Sequence, residues 1–432
     1  MNERFLHHVW SQRVFQFEPL LTKSGEPLQI LQTGLYNHDA GPDFFNARLR
    51  IGGAEWAGNV EIHLRSSDWN RHGHQSDPLY GNCILHAVAV HDAEVFDVHG
   101  RMLPTFVFPE SALAAWWGQY ELLVQRPSAI ACTDRLPFVP PHLWSSWIDR
   151  MLMERLEERV RRVDQQLHVS RGDWEDAIFR AVSRAMGFAV NADPMERVAA
   201  SLPLKVLLKT AQRRDSLEAL LFGQSGLLQA PAPDEYSSGL LEEYRFQRHK
   251  LGIEPIPLPG WKFLRMRPRN FPTIRLAQLA SLIQTAFPLL QRCLEEHELK
   301  SLLSRFRVDV SPYWHNHYRF GVPTKFEEKW LGDDAIRILL LNTVVPFVFA
   351  RGKAEGNSYW QEKALRWLCE LPSEKSLPLR EWRTAGVKPQ HAGDGQALLH
   401  LLRNYCTPKK CLSCSIGNHL IHSSDEALRI DP

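Results

Sequence analysis

The sequence predicts two architectures in one chain: an N-terminal α+β or α/β domain built on a mixed sheet, and a larger all-α domain after it. Three observations carry this expectation. Residues 1–125 hold short apolar runs bounded by Gly and Pro, whereas from residue 140 the apolar period becomes three and four residues. At 432 residues the chain also exceeds what one ordinary core encloses.

Residues 5–15 carry an amphipathic helical pattern, followed by strand-like runs at 28–32, 44–51, 55–64, 83–91 and 104–108. Gly52-Gly53 between two of these runs is a hairpin signal, since a tight primed turn needs positive φ at both positions. Residues 116–124 return to helical character, and 126–139 read as a linker. Then Trp144, Trp147, Ile148, Met151, Leu152, Leu156, Val160, Val163 and Leu167 recur at helical spacing and predict one long amphipathic helix. Further helical patterns at 174–186, 195–210, 217–221, 236–249, 274–287, 334–349, 359–370 and 396–405 fill an all-α domain over 140–405, divisible near 270. Pro-rich breaks at 231–233, 255–259 and 268–272 punctuate it, and a cysteine-bearing segment, 406–432, closes the chain.

A hydrophobic content of 44% and a charged content of 23% are those of a soluble globular protein. The net charge of +2 selects no partner, so any nucleic-acid surface has to be local. The N-terminus lacks a basic segment followed by an apolar stretch. The longest apolar run, 338–350, is broken by Asn342, Thr343 and Pro346 and falls short of the roughly 20 residues of a spanning helix. No membrane association and a cytoplasmic location are expected. Seven cysteines, three of them crowded near the C-terminus, do not read as a disulfide framework.

Four constellations carry chemistry. In the run 55–64, Val60, Ile62 and Leu64 alternate with Glu61 and His63, so the latter two share the face away from the core. Asp43, after Gly41-Pro42, opens the neighbouring run. Asp43 and Glu61 suit a hard cation, Mg²⁺ or Mn²⁺, and His63 suits water activation with its ordinary pKa of about 6.5. Glu18 is a further carboxylate after the first helix. The plain alternative is a solvated sheet face.

The second constellation is histidine-rich: His38, His63, His72, His74, His86, His91 and His99. His72-Gly73-His74, flanked by Asp68 and Asp77, offers transition-metal ligands, although each histidine alone reads as solvated or core. The third is Cys406-x(4)-Cys411-x(2)-Cys414, thiols spaced for zinc or an iron–sulfur cluster. Lys409 and Lys410 favour the thiolates. His419 lies near as a fourth ligand, while Cys132 and Cys369 would come from afar. The fourth is the stretch 244–275, where Arg245, Arg248, Lys250, Lys262, Arg265, Arg267, Arg269 and Arg275 are interleaved with Tyr244, Phe246, Trp261, Phe263 and Phe271. Guanidinium groups contact phosphates and aromatic faces stack on bases, so it reads as a nucleic-acid track or as a basic face over core aromatics.

The segments Gly41-Pro42-Asp43-Phe44-Phe45-Asn46-Ala47, Trp56-x-Gly58-Asn59-Val60-Glu61-Ile62-His63 and Ser67-Asp68-Trp69 with His72-Gly73-His74 resemble an uncharacterised bacterial family, the domain of unknown function numbered twenty-eight fifty-one. The likeness runs on through Asn270-Phe271-Pro272-Thr273-Ile274-Arg275 and Asn342-Thr343-Val344-Val345-Pro346 to Cys411-Leu412-x-Cys414-x-Ile416-Gly417-Asn418. It implies no activity.

A local resemblance over residues 43–63 is to PD-(D/E)xK nucleases, with His63 in the place of their Lys. It implies a restriction-endonuclease-like domain in which Asp43 and Glu61 hold the cation. Some helicase-associated nucleases of that superfamily tie an iron–sulfur cluster with one distant cysteine and three close ones. Cys132 with Cys406, Cys411 and Cys414 resembles that layout, except that Cys132 follows the nuclease-like region. Cys132 is therefore the preferred fourth ligand.

The leading expectation is a metal-dependent nuclease-like protein acting on DNA or RNA, with Arg265, Arg267 and Arg269 in the nucleic-acid track. The alternatives are a non-catalytic nucleic-acid-binding or scaffold protein with a structural metal, and a metal-dependent hydrolase of small molecules using the histidine-rich loop.

Overall fold

The computed structural model describes residues 1–13, 19–37, 39–257 and 260–423; Glu18 and His38 lie outside them. The chain divides into two units, Met1–Trp147 with Leu402–Pro432, and Ile148–Leu401. The C-terminal segment thus groups with the N-terminal domain, and the division falls inside the helix Pro141–Val169.

In the first unit, α1 (Glu3–Gln12) is capped by Asn2, whose side chain accepts the Phe5 N–H. Its apolar stripe, Phe5, Leu6, Val9 and Trp10, is fully buried against the sheet. The strands are β1 (Leu20–Leu21), β2 (Pro27–Gln32), β3 (Leu35–Tyr36), β4 (Phe44–Ile51), β5 (Ala54–Arg65), β6 (Cys83–Val90) and β7 (Thr105–Val107). Their order is β1-β2-β4-β5-β6-β7, with β3 also paired to β4. Pairing is antiparallel through β5 and parallel from β5 to β6 to β7, so the sheet is mixed as expected.

Gly52 and Gly53 have φ of 57° and 91°, which is why they can turn β4 into β5 within two residues. Parallel pairing demands a crossover. Here it is the segment between β5 and β6, holding α2 (Asp68–Arg71) and two short 3₁₀ turns. After β7, α3 (Glu110–Val124) contributes Leu113, Tyr120 and Leu123 to the same core as α1. The expected linker 126–139 is instead folded: Ile130 and Ala131 are buried and Thr133–Phe138 forms a 3₁₀ helix.

The second unit is mainly helical around a core that includes Phe179, Leu220, Ile274, Val344 and Trp367. A two-stranded hairpin, His317–Arg319 with Val322–Pro323, corrects the expectation of an all-α domain. Its turn residue Gly321 has φ 69° and donates its N–H to Asp234 Oδ2 at 2.8 Å.

One described helix, Asp333–Ala354, is long and apolar enough to cross a membrane, yet 72% of its apolar stretch is buried inside the protein. A π turn at Leu340–Val344 precedes Pro346. Proline has no N–H to give the preceding turn, so the ladder widens there. Asn342 in that turn accepts Arg159 Nη2 at 2.6 Å.

Candidate metal and catalytic centre

The centre is set by how β4 and β5 meet. A Cβ on Gly58 would lie 2.5 Å from Ile84 Cγ2 and 2.6 Å from the Asn82 carbonyl, so only glycine lets β5 approach the start of β6 this closely. Asn59 Oδ1 accepts the N–H of Asn46, which has φ 55°, where the β4–β5 register shifts between Phe44 and Ala47. Such bulges re-aim neighbouring side chains. Asp43, just before β4, is locked to β5 by two bonds. Its Oδ2 accepts the Ile62 N–H at 2.9 Å, and its own N–H donates to Glu61 Oε2 at 3.0 Å.

Glu61 and His63 do share a strand face, but it is not solvated. Glu61 is 5% exposed and His63 2%, because the crossover segment covers them. Glu61 Oε1 lies 3.4 Å from both His63 Nε2 and His74 Nε2. His63 Nε2 is also 3.1 Å from His72 Nδ1, and His63 Nδ1 is 2.9 Å from His86 Nε2. The His63 and His74 rings stack at 5.3 Å, and His74 stacks on Tyr80 at 3.8 Å. Register brings His86 in, since it is the β6 partner of Glu61. From α1, His7 Nε2 reaches Asp43 Oδ2 at 3.2 Å.

Burial governs the electrostatics. It pushes His63 down to about 2, helped by the neighbouring imidazoles of His86, His74, His72 and His7. It pushes His86 down to about 3. Glu61 is pushed up by burial, against its hydrogen bond with His74 and with the added repulsion of Asp43. A His63 this far below neutrality no longer matches the base role that its ordinary pKa suggests. It presents a neutral ring with an available lone pair, which is what a metal ligand needs.

Several flagged residues serve structure instead. Asp68 Oδ2 accepts the Arg65 N–H and its other oxygen pairs with Arg71, while Asp77 caps the turn at Leu79. His91 pairs with Glu94, and the His99 N–H goes to Asp97. His7 and Tyr80 are the centre's unanticipated members. Neither has a local signal, because α1 and the crossover reach Asp43 and His74 only through the tertiary fold.

The cysteine site lies in the same unit. Cys414 is buried, and Cys132, Cys406 and Cys411 are half-buried. Lys409 Nζ donates to the carbonyls of Arg126, at 3.0 Å, and Ser128, so the 406–411 loop is fastened beside the segment carrying Cys132. Cys132 lies within electrostatic reach of Cys414 and Cys411, and Cys406 within reach of Cys414, Cys132 and Cys411. Burial pushes the Cys414 thiol up, and the backbone N–H groups of Gly417 and Ile416 at the start of the following helix offset part of that rise. Gly417 is needed there, because a Cβ would lie 2.4 Å from the Cys411 carbonyl.

The expected lowering of the thiols by Lys409 and Lys410 is not what burial leaves. Cys132 is pushed up to about 12 and Cys411 to about 11, and Lys409 offsets only part of the Cys411 shift. His419 Nε2 lies 3.4 Å from Ser423 Oγ, and Cys369 is exposed in the second unit.

In the basic stretch, Arg265, Arg267 and Arg269 are exposed, but Arg269 is paired with Glu327. Arg275 is buried, stacked on Phe188 and bonded to Gln278 and Asn270. Tyr244 is buried with its hydroxyl on Gln224, Trp261 donates to the Ser225 carbonyl, and Phe263 and Phe271 lie against Arg319. Of the five interleaved aromatics, Phe246 is the one with an exposed ring.

No curated protein and no solved structure matches this chain. A family model, described as "Protein of unknown function (DUF2851)", matches residues 3–376, a span that holds the histidine–carboxylate centre and stops short of Cys406. The chain belongs to this family.

Proposed function

We propose that the centre around Glu61 hydrolyses phosphodiesters of DNA or RNA with a bound divalent cation, in an N-terminal domain of restriction-endonuclease-like class and a cytoplasmic protein. The observation that carries this reading is the meeting of Glu61 Oε1 with His63 and His74, both at 3.4 Å, while Asp43 is held on the same carboxylate. An acid before one strand and a Glu-x-base pair on its antiparallel neighbour is the order of a PD-(D/E)xK site. His63 replaces the permanent charge of Lys, so the cation has to supply it. A bound cation would supply charge to polarise the phosphate and to lower the pKa of a water, and Glu61, raised by burial, would accept the proton.

A cleft of about 460 Å³ supports a polyanionic substrate: His7 and Tyr36 line it together with Arg4, His8, Lys409 and Lys410. Exposed Arg265 and Arg267 remain candidates for phosphate binding in the second unit. The four cysteines are proposed to hold zinc or an iron–sulfur cluster in a structural role. A brown protein absorbing near 400 nm marks the cluster, and one equivalent of metal without colour marks zinc.

The test is incubation of the full-length protein with single- and double-stranded DNA and RNA in Mg²⁺, Mn²⁺ or Zn²⁺. Cleavage that Glu61→Gln abolishes is expected, and no cleavage of any strand with any ion sinks the proposal. A small-molecule hydrolase is the second reading, favoured by His72 and His74 joining the centre, since a phosphodiesterase pattern does not require them. Turnover of a nitrophenyl ester without nucleic-acid cleavage would select it.

A further inference from the structure

We propose that His63, His72 and His74 form a three-imidazole site for a borderline transition-metal ion such as Zn²⁺, with Glu61 beside it as the proton acceptor. The role given to Glu61 rests on the hydrolase reading; the ion site does not.

Among the described residues, the ligand atoms of His63, His72 and His74 are the three that lie within 4.8 Å of one another. His63 Nε2 and His72 Nδ1 are 3.1 Å apart. Zinc–nitrogen bonds of about 2.0–2.1 Å in a tetrahedron separate nitrogens by about 3.3–3.4 Å, so this pair already has nearly the spacing of two ligands on one ion.

Proton counting favours an ion over a chain of hydrogen bonds. A neutral imidazole has one N–H, and His63 faces His86 through Nδ1 while Nε2 faces His72 and the Glu61 carboxylate. With the proton on Nδ1 and donated to His86 Nε2, the Nε2 lone pair points at a carboxylate oxygen. A cation between these groups satisfies all of them, and His86 becomes the outer partner that fixes the tautomer and ring orientation of a ligating histidine. Buried polar groups left facing one another without such a partner are costly.

The donor set also chooses the ion. Mg²⁺ prefers oxygen ligands and retains several waters, whereas imidazoles suit zinc, iron and their neighbours. Glu61 Oε1 lies 3.4 Å from His63 Nε2 and from His74 Nε2, beside the three imidazoles but not in the group whose ligand atoms all lie within 4.8 Å of one another. His72 is exposed while His63 and His74 are buried, which gives the ion an entry. Three protein nitrogens with an open position is the form of a catalytic rather than a structural zinc site.

The experiment strips metal from the full-length protein and titrates it with Zn²⁺, Mg²⁺ and Co²⁺. Imidazole-bound Co²⁺ lacks the near-ultraviolet thiolate charge-transfer band, so this site is read apart from the cysteines. One imidazole-type equivalent is expected, weakened at least about 100-fold by His72→Ala or His74→Ala and changed less than about tenfold by Glu61→Gln. Equal melting of metal-free wild type and His72→Ala shows that the loss is of a ligand and not of the fold. Affinity unchanged in both histidine variants, or Mg²⁺ competing with Zn²⁺ at equal concentration, overturns the proposal. Zinc held by these histidines with no phosphodiester cleaved leaves the site standing and sinks the nuclease reading. Cleavage that survives both histidine substitutions does the reverse.

Discussion

The histidine–carboxylate centre and the cysteine site are both buried in the first unit, and both gather metal-ligand residue types, yet they are assembled in opposite ways. The first draws on β5, the crossover and β6, residues 61–86, with Asp43 and His7 added at its edge. Strand register places Glu61 beside His86, and the crossover between those two strands brings His72 and His74 to them. The second joins Cys132 to a loop that begins at Cys406, and Lys409 has to reach the Arg126 and Ser128 carbonyls to hold it there. Closing a chain segment that long costs entropy, which a metal shared by the cysteines would offset. The difference teaches where each proposed metal would act: removing it should cost the local centre its chemistry and the long-range centre its stability.

The largest effect should follow Cys132→Ser. It should release the metal from the cysteine site and lower stability by about 3–5 kcal/mol, the scale of losing a cross-link over a long loop, as read by metal content and chemical melts. His72→Ala should leave stability within about 0.5 kcal/mol, as for an exposed substitution. Equal losses from both would erase the contrast between the two sites.

Glu61→Gln should lower phosphodiester cleavage by about 10²–10⁴-fold, the usual contribution of a general base. It should not lower stability, because burial already disfavours the carboxylate. A stability loss without a rate loss would move Glu61 to a structural role.

Gly58→Ala tests the geometry that positions the local centre. Its Cβ would meet Ile84 and the Asn82 carbonyl, so a loss of about 1–3 kcal/mol is expected, with weaker Zn²⁺ binding because β5 and β6 must separate. Unaltered binding would mean that the histidines tolerate a shifted register.

Acid should sharpen the comparison further. In the unfolded chain His63 and His86 protonate below about pH 6.5. In the folded protein they stay neutral down to about 2 and about 3. The unfolded state therefore binds more protons in that window, and stability present above pH 6.5 is lost as pH falls, by at most about 1.4 kcal/mol per unit for each histidine. Glu61 works the other way: raised by burial, it contributes stability at low pH that is lost as pH rises through its folded value. Urea melts from about pH 7.5 to 5 should show the net fall, and His86→Asn should flatten it. A curve that is flat in the wild type would contradict the buried neutral imidazoles.

The smallest effect concerns the second unit. Replacing Arg265 and Arg267 by Ala should reduce the salt dependence of nucleic-acid binding by nearly one unit of slope for each phosphate that is no longer neutralised. Unchanged slopes would confine binding to the first unit.

Much of the first unit is legible in its residues. Alternation marks β4 and β5, a short apolar run marks β6, paired glycines mark the hairpin, and Glu61-x-His63 is visible as a shared face. What alternation does not report is what covers a face. A strand that looks half-solvated is buried on both sides because the crossover folds back over it, and that burial holds His63 well below its ordinary pKa. Composition misled in the basic stretch for the same reason: Arg275 and Tyr244 read as a surface track, yet both are core residues satisfied by Gln278, Asn270 and Gln224.

By itself, then, the sequence determined the periods, the turns and the residue types: a mixed sheet followed by helices, an acid before β4, a Glu-x-His pair and a run of thiols. Those are local properties, fixed by backbone sterics and by which side chains alternate. Only the tertiary structure decided that His7, His72, His74 and His86 converge on that pair, that Cys132 stands near the C-terminal cysteines, and that 126–139 is folded into the first unit. These depend on the crossover between parallel strands and on closure over some hundreds of residues. Neither leaves a trace in local pattern, because the energy that drives them comes from burying surfaces that meet only in the folded chain.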